Sequence, residues 1–459
     1  MNNDEQLMEK IISLCKTRGF IFQAGELYGG LSGVYDYGPL GTLLKNNIKN
    51  LWIRKFVENR RDMYLLDSAI IMGEKPLTAS GHVGGFSDPL VSDLKTEKEY
   101  RADHLLEEAD INPEGMSIAD MTTALAENKV LSPEGNALGE VREFNLMLKT
   151  QLGSSSDSSS TAYLRPETAQ GIFVNYKNIM DSMHPKVPFG VAQIGKAYRN
   201  EITPRNFIFR LRELEQMEIE YFIHPDNWKA EFAYWKDEVL EWSEMIGLDM
   251  NKLHEVEIGS DDRAHYSERT IDFEFDYPFG QKELYGLAYR GNYDLSKHAE
   301  ASKTKLQYTD PIKNETYVPH VIEPSMGLDR TILAVLMSAY REDEVDGNAR
   351  SYLALSPIVA PYKIAVSPLV KNKEHIVEKA NEIFGVLKAE FGNVAWDDNG
   401  NVGKRYRRQD EVGTPFCVVV DYDTFDDGMV SVRDRDTTEQ ERVGIDELKQ
   451  YFTEKLTIE

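Results

Sequence analysis

Cysteine is almost missing from this chain of 459 residues: Cys15 and Cys417 are the only two. They form no C-x-x-C pair and no metal-ligand spacing, which excludes a disulfide scaffold and points to reduced thiols in a cytoplasmic setting. Long apolar runs are missing too. None approaches the ~20 residues that cross a bilayer, so no membrane partner is expected. The first residues, Met1-Asn-Asn-Asp-Glu-Gln6, have no basic stretch followed by an apolar one and do not read as a signal peptide. Basic residues are in deficit, 52 against 77 acidic ones, for a formal net charge of -25. That balance serves solubility and opposes nonspecific nucleic-acid binding, but it leaves room for a local basic surface.

What is present reads as a globular protein of two or three domains, with 41% hydrophobic and 28% charged residues. Leu7, Ile11, Leu14 and Cys15 recur at helical spacing before Gly19. Residues 20–38 are rich in glycine and tyrosine and read as turns and short strands. Pro39 opens a second helix with Leu44, Ile48, Leu51, Trp52 and Phe56 on its apolar face. Residues 62–72 read as a strand. Residues 86–150 are acidic and helix-prone, broken by Pro113, Gly115 and Pro133, and read as an insertion. The serine-rich residues 153–160 read as a flexible loop. Two strands joined by a basic loop fill 187–223, a helix 226–248, a strand-like run 270–290, and a strand then an apolar helix 319–340. Past Pro357 and Pro361, strands near 364, 393, 416 and 429 alternate with helices over 373–389 and 445–455, as in a small α/β domain with a mixed, mainly parallel sheet. The expected division is 1–358, carrying the 86–160 insertion and loop, and 359–459.

Gly190-Val-Ala-Gln-Ile-Gly195-Lys196-Ala197 is one residue away from a P-loop. Ala197 lacks the hydroxyl that would hold magnesium, and Val191 to Ile194 read as a strand, so any ATP must be held by another device.

Tyr198-Arg199-Asn200-Glu201 closes a strand, a basic loop with Arg205-Asn-Phe-Ile-Phe209-Arg210 follows, and Leu211-Arg212-Glu213-Leu214-Glu215-Gln216-Met217-Glu218 starts the next strand. Glu323-Pro324-Ser325-Met326-Gly327-Leu328-Asp329-Arg330 then runs into an apolar helix. With the helix 40–57 and Thr78-Ala-Ser-Gly81-His82, these segments resemble motifs 2, 3 and 1 of the class II aminoacyl-tRNA synthetases. The implied fold is α+β: an antiparallel-sheet catalytic domain with a helical insertion, followed by a small α/β anticodon-binding domain.

The resemblance also implies roles. Arg199 would hold the α-phosphate and the substrate carboxylate, Glu201 the adenine amino group or the tRNA terminus, Arg205 the γ-phosphate. Phe209 and Arg330 would sandwich the adenine. The implied ATP site adds Asn200, Arg210, Leu211, Arg212, Glu213, Leu214, Glu283, Leu284, Gly327, Leu328 and Asp329. Arg199, Arg330 and Glu283 would be catalytic, with Glu283 also on Mg2+. Because no cysteine-based zinc site of the kind some relatives carry is present, no zinc is expected.

Within the class, Leu164-Arg-Pro-Glu167, Tyr100-Arg101 and Ala288-Tyr-Arg290 resemble the glycyl-tRNA synthetases. Glu167, Glu218 and Glu323 would line a small pocket for an ammonium, with Ser325 filling space that other class members leave open. The implied glycine site comprises Arg101, Glu167, Leu214, Glu215, Gln216, Met217, Glu218, Arg290, Glu323, Pro324, Ser325, Met326 and Gly327. Glycine is the smallest amino acid, so exclusion by size suffices and no editing domain is needed. The C-terminal run Gly403-Lys404-Arg405-Tyr406-Arg407-Arg408 resembles the anticodon-binding domain shared with threonyl, prolyl and histidyl enzymes, with Lys404, Arg405, Arg407 and Arg408 as the tRNA contacts. The implied activity is glycine–tRNA ligation with ATP, tRNA(Gly) and glycine as partners, in a homodimer built by motif 1. A non-catalytic nucleic-acid-binding accessory protein of the same fold is the alternative. Retention of Arg199, Glu201 and Arg330 favours the enzyme.

Overall fold

A computed structural model describes residues 3–113, 115–153, 161–260, 263–264, 266–345 and 347–456. The serine-rich residues 154–160 lie outside the described residues. The central element is a seven-stranded sheet of β1 (Met63–Leu65), β2 (Phe189–Tyr198), β3 (Glu213–Ile223), β4 (Leu253–Glu257), β5 (Arg269–Tyr277), β6 (Gly280–Gly291) and β7 (His320–Gly327), in the order β4-β5-β6-β7-β3-β2-β1. Every pairing is antiparallel except that of β1 with β2 at the edge. The near-miss P-loop is the buried middle of β2.

Alternation along the strands separates two faces. Met217, Ile219 and Tyr221 of β3, Ile271, Phe273 and Phe275 of β5, and Ile322 and Met326 of β7 enter the main core. Three helices close it: Pro39–Ile53, Trp228–Met245 and Leu328–Ala339. Phe56 lies within 6 Å of three fully buried indoles, those of Trp52, Trp235 and Trp242, at centroid distances of 5.5, 5.9 and 5.9 Å. The intervening residues of β3 and β7, Gln216, Glu218, Glu220, Glu323 and Ser325, face the other way, where the functional cavity forms.

A charged knot ties three distant segments together behind that cavity. Lys45 and Lys49 of the helix Pro39–Ile53 reach Glu215 of β3 at 2.6 and 2.7 Å. Asp329, at the start of the helix Leu328–Ala339, accepts from the Glu215 backbone N–H at 2.8 Å and from the Tyr37 hydroxyl at 2.5 Å.

Residues 86–150 hold the expected helices, Ala102–Glu108 and Ile118–Glu127, and also an unexpected sheet of Glu99–Arg101, Ser87–Ser92 and Arg142–Asn145. These strands have three to six residues and scarcely alternate, too little for a period-2 pattern to emerge from the sequence. The insertion is therefore mixed rather than helical.

The C-terminal sheet runs Val394–Trp396, Ile364–Pro368, Phe416–Val420, Met429–Asp434, Gln440–Gly444, around its own core of Val366, Ile376, Ile383, Val418 and Phe452. Its first two pairings are parallel and its last two antiparallel, which corrects the mainly parallel expectation. The strand Gln440–Gly444 and the helix Val402–Val412 went unread in the sequence. That helix buries Arg405, Gln409 and Asp410 on its inner face, so it shows no apolar stripe. Asp410 holds Arg433 at 2.8 and 3.0 Å and also accepts from Arg350 at 3.1 Å, joining the hairpin Tyr340–Leu353 to this helix.

Two helical glycines give opposite predictions. A Cβ at Gly41 would lie 1.9 Å from the Phe20 carbonyl oxygen, whereas one at Gly385 meets nothing within 4 Å. Gly41→Ala is expected to cost about 1–3 kcal/mol despite alanine's helix propensity. Gly385→Ala should gain about 0.5–1 kcal/mol. Scanning calorimetry of the two variants should move the transition in opposite directions.

Candidate functional site

On the polar face of the sheet lies a cavity of about 620 Å³. Its floor comes from β3, β5, β6 and β7. Its walls come from the loop after β2 (Ile208, Phe209, Arg210), the turn Gly81–Phe86, Glu167, and Asp88 and Arg101 of the insertion. The two ends of the cavity differ in chemistry.

The first end is acidic. Register sets Glu218 opposite Ser325 and places Glu323 beside Ala288. Oxygens of Glu218, Glu220 and Glu323 all lie within 4.8 Å of one another. Ser325 donates to Glu218 at 2.8 Å, and Thr168 donates to its other oxygen. Glu167 accepts from Gln170 at 3.1 Å and lies 3.3 Å from His82 Nε2. Four carboxyls this close cannot all carry charge. Burial and the charge of Glu167 push Glu218 up. Burial and the neighbouring carboxylates Glu218 and Glu167 raise Glu323 against the pull of Arg290. Burial and Glu323 push Glu220 well above the usual carboxylate range. Glu167 goes the other way: burial opposes its charge, but His82 and Arg290 hold it well below the usual range.

The second end is cationic and aromatic. Arg199 donates to the Pro166 carbonyl at 3.1 Å and lies 5.4 Å over the Phe86 ring. Arg210 Nη1 is buried without a hydrogen-bond partner, a donor placed for an anion. Arg101 is tied to Asp88 at 2.7 Å and to Asp103. It acts electrostatically on Glu201 and Arg210, so the structure sets this residue, read in the sequence as part of the glycine site, beside the cationic end. Arg330 reaches Glu283 at 3.0 Å and its guanidinium rests 4.4 Å from the Phe209 ring centroid. Burial opposes charge on Glu283, but Arg330 holds it below the usual range. Asp272 is pushed up to about 7 by burial and by Glu283 and Glu274.

Several expected site residues lie elsewhere. Strand alternation turns Met217, Pro324 and Met326 away from the cavity, and Leu328 is buried in the main core. Arg212 donates to the carbonyls of Glu201 and Ser32 at 3.1 and 3.0 Å, and Glu213 pairs with Lys196 at 2.9 Å. Asn200 is off the cavity, and its backbone N–H donates to Leu146. Arg205 is exposed beside His104. Glu215 and Asp329 touch the rim, but their oxygens are committed to the charged knot. Arg290 is not part of the lining. Its guanidinium grips Asp294 at 2.8 and 2.9 Å and Glu323 at 2.7 Å, and its face lies 3.6 Å from the Tyr266 ring centroid. It positions Glu323, with three of its five N–H groups engaged by the two carboxylates. Phe209 and Arg330 touch each other, so no adenine fits between them until Arg330 moves.

Leu211, Leu214, Gln216, Leu284 and Gly327 do line the cavity, with Glu201, Glu218, Glu323 and Ser325. The sequence reading assigned no role to His82, Phe86, Asp88, Tyr266 or Asp272. Only Asp272 carried a signal, as the polar residue between Ile271 and Phe273.

The expected tRNA patch is largely spent on structure. Buried Arg405 donates to the carbonyls of Pro368, Asp398 and Gly400. Arg407 donates to Ala349 and Asn348, and Arg408 holds Asp397 at 2.9 and 2.7 Å. Lys404 remains exposed.

An antiparallel sheet carrying a motif 2 hairpin, a motif 3 arginine and a helix-backed cavity defines the class II synthetase core. The chain matches the family model of the tRNA synthetase class II core domain (G, H, P, S and T) over residues 151–339, and that of the anticodon binding domain over 363–455. It is 47% identical to the glycine–tRNA ligase of Caldanaerobacter subterraneus over 457 residues, 98% of each chain. It is 46% identical to that of Clostridium perfringens, over 98% of this chain and 99% of the relative. The chain belongs to the glycine–tRNA ligase family.

Glu220 gives a pH prediction. Both its oxygens are buried without partners. Its folded pKa lies above the unfolded value, so the folded state binds the extra proton and stability falls as pH rises above the ordinary carboxylate range. Glu220→Gln removes that cost. The variant should melt above the wild type at pH 8.5, with the gain shrinking toward pH 4.5. A gain that grows toward acid would contradict this assignment.

Proposed function

We propose that the acidic end of the cavity receives the ammonium of glycine and the cationic end the phosphates of ATP, so that the amino-acid carboxylate meets the α-phosphate between them. The carrying observation is the convergence of Glu167, Glu218 and Glu323 at an end closed by Ser325 and Tyr266. Side chains occupy the space a larger amino acid would need, and the surplus carboxyls suit a cation. The carboxylate displaces pyrophosphate to give glycyl-adenylate. The terminal adenosine of tRNA(Gly) then takes the acyl group. Catalysis comes from positioning and charge neutralisation, with Arg199 and the unpartnered donor of Arg210 facing the phosphates.

Arg330 starts on Phe209 and in an ion pair with Glu283. ATP entry requires Arg330 to leave that place, which frees Glu283. Glu283 and Asp272 would then suit Mg2+: both line the cavity, carboxyls are hard oxygen donors, and burial with the charge of Glu283 pushes Asp272 up to about 7. The metal would neutralise phosphate charge.

The C-terminal domain is the tRNA-binding part, with Lys404 as the exposed member of the predicted patch. We also read the protein as a homodimer. Leu27 and Tyr28, 96% and 95% exposed, project from the turn Glu26–Tyr28 ahead of the motif 1 helix. No helix among the described residues is long and apolar enough to cross a membrane.

Amino-acid-dependent ATP–pyrophosphate exchange tests the reading. Exchange is expected with glycine and not with alanine, serine, proline or threonine. Arg330→Ala should lower glycine-dependent exchange about 100-fold or more, the scale for losing one transition-state donor. No exchange with any amino acid would favour the accessory-protein alternative. For the dimer, sedimentation equilibrium should give twice the chain mass of 52.4 kDa. Leu27→Asp with Tyr28→Asp should shift the population toward monomer.

A further inference from the structure

His82 lies in the cavity wall, 6% exposed, at the start of the one-turn helix His82–Gly85 that follows the short helix Glu74–Ala79. Both ring nitrogens face oxygen. Nδ1 is 2.8 Å from Ser80 Oγ, and Nε2 is 3.3 Å from Glu167 Oε2. The Ser80 hydroxyl has one proton and two acceptors within reach, the Leu77 carbonyl at 3.2 Å and His82 Nδ1 at 2.8 Å. When that proton goes to Leu77, Ser80 Oγ accepts from His82, as Glu167 does on the other side. A ring with acceptors at both nitrogens is best satisfied as an imidazolium carrying two N–H groups. Phe86 packs against the ring at 5.5 Å; burial and the nearby cations Arg290 and Arg199 oppose the charge, and Glu167 outweighs them, so the imidazole pKa is raised above its ordinary value.

The position has a consequence for the carboxyl cluster. Glu167, Glu218 and Glu323 compete for protons, and the winner of negative charge decides where an incoming ammonium binds. Gln170 holds one oxygen of Glu167 and His82 faces the other, so Glu167 is both fixed in orientation and kept ionised. Glu218 and Glu323 have no comparable cation at the cavity, since Arg290 grips Glu323 from behind.

We propose that His82 is a positioning residue for amino-acid recognition: an imidazolium held between Ser80 and Glu167 that fixes which carboxyl of the cluster carries the charge met by the substrate ammonium. The proposal rests on the reading of Glu167 as the ammonium partner, and the test separates the two.

Glycine and ATP dependence of pyrophosphate exchange is measured at pH 7 for the wild type, His82→Gln, Ser80→Ala, Glu167→Gln and the double variant His82→Gln with Glu167→Gln. Glutamine keeps a donor for Glu167 but never carries charge. His82→Gln is expected to raise the KM for glycine about 10- to 100-fold, the range for one charge-assisted hydrogen bond, and to leave the KM for ATP within about twofold. Ser80→Ala should raise the glycine KM in the same direction by less. The double variant should be no worse than Glu167→Gln alone, because His82 acts through Glu167. A glycine KM unchanged in both His82→Gln and Ser80→Ala, with Glu167→Gln impaired, would overturn the proposal and keep the pocket. A glycine KM unchanged in Glu167→Gln would overturn the pocket reading itself. Equal rises in the KM for glycine and ATP would mark His82 as merely structural.

Discussion

The antiparallel register of β3 with β7 is the constraint on which the site depends. It sets Glu218 against Ser325 and brings the carboxyl of Glu220 to that of Glu323, all on one face of a buried sheet. Like charges at that spacing are costly in a low dielectric, and the neighbouring structure answers the cost. Arg290 braces Glu323 from behind, Thr168 and Ser325 donate to Glu218, and His82 and Gln170 secure Glu167. The residual demand for positive charge is what the proposed ammonium ligand would satisfy, and on that reading affinity for a small cation and exclusion of bulk come from the same packed carboxyls.

The second constraint is the charged knot on the opposite side of β3. Lys45, Glu215, Asp329 and Tyr37 come from segments that are far apart in sequence, yet they fix the motif 1 helix, the motif 2 strand and the start of the motif 3 helix against one another. Buried ion pairs contribute little net stability compared with apolar packing, which here comes from Phe56 and the three tryptophans. Their directional bonds instead hold register, and register positions Arg330 at the cavity mouth. Arg330 itself rests on Phe209 and pairs with Glu283, the two side chains that the proposed ATP site also uses.

A similar division holds in the C-terminal domain. Four basic residues in a run of five looked like an RNA surface, yet three of them are engaged with backbone carbonyls or Asp397. A count of charges does not distinguish a free guanidinium from one that caps a loop, because arginine has enough donors to do either.

Strands β1, β2, β3 and β7 and the covering helices of motifs 1 and 3 were legible in the sequence, because period-2 and period-3.6 patterns reflect burial of one face, whereas β4 went unread and β5 and β6 were read as one strand-like run. The order of the motifs also carried the class of enzyme, and Glu167, Glu218, Glu323 and Ser325 carried the amino acid. The sequence had no means of showing that Arg290 is a brace, that Arg212 and Arg405 hold carbonyls, that helix Val402–Val412 buries polar side chains, or that His82 meets Glu167. Each of these is a partnership between residues distant in the chain, and hydrogen bonds between such residues leave no local periodicity. Residue type determined which chemistry was available. Tertiary packing decided which donors and charges remained uncommitted, because a buried polar group must find its partner wherever the fold brings one.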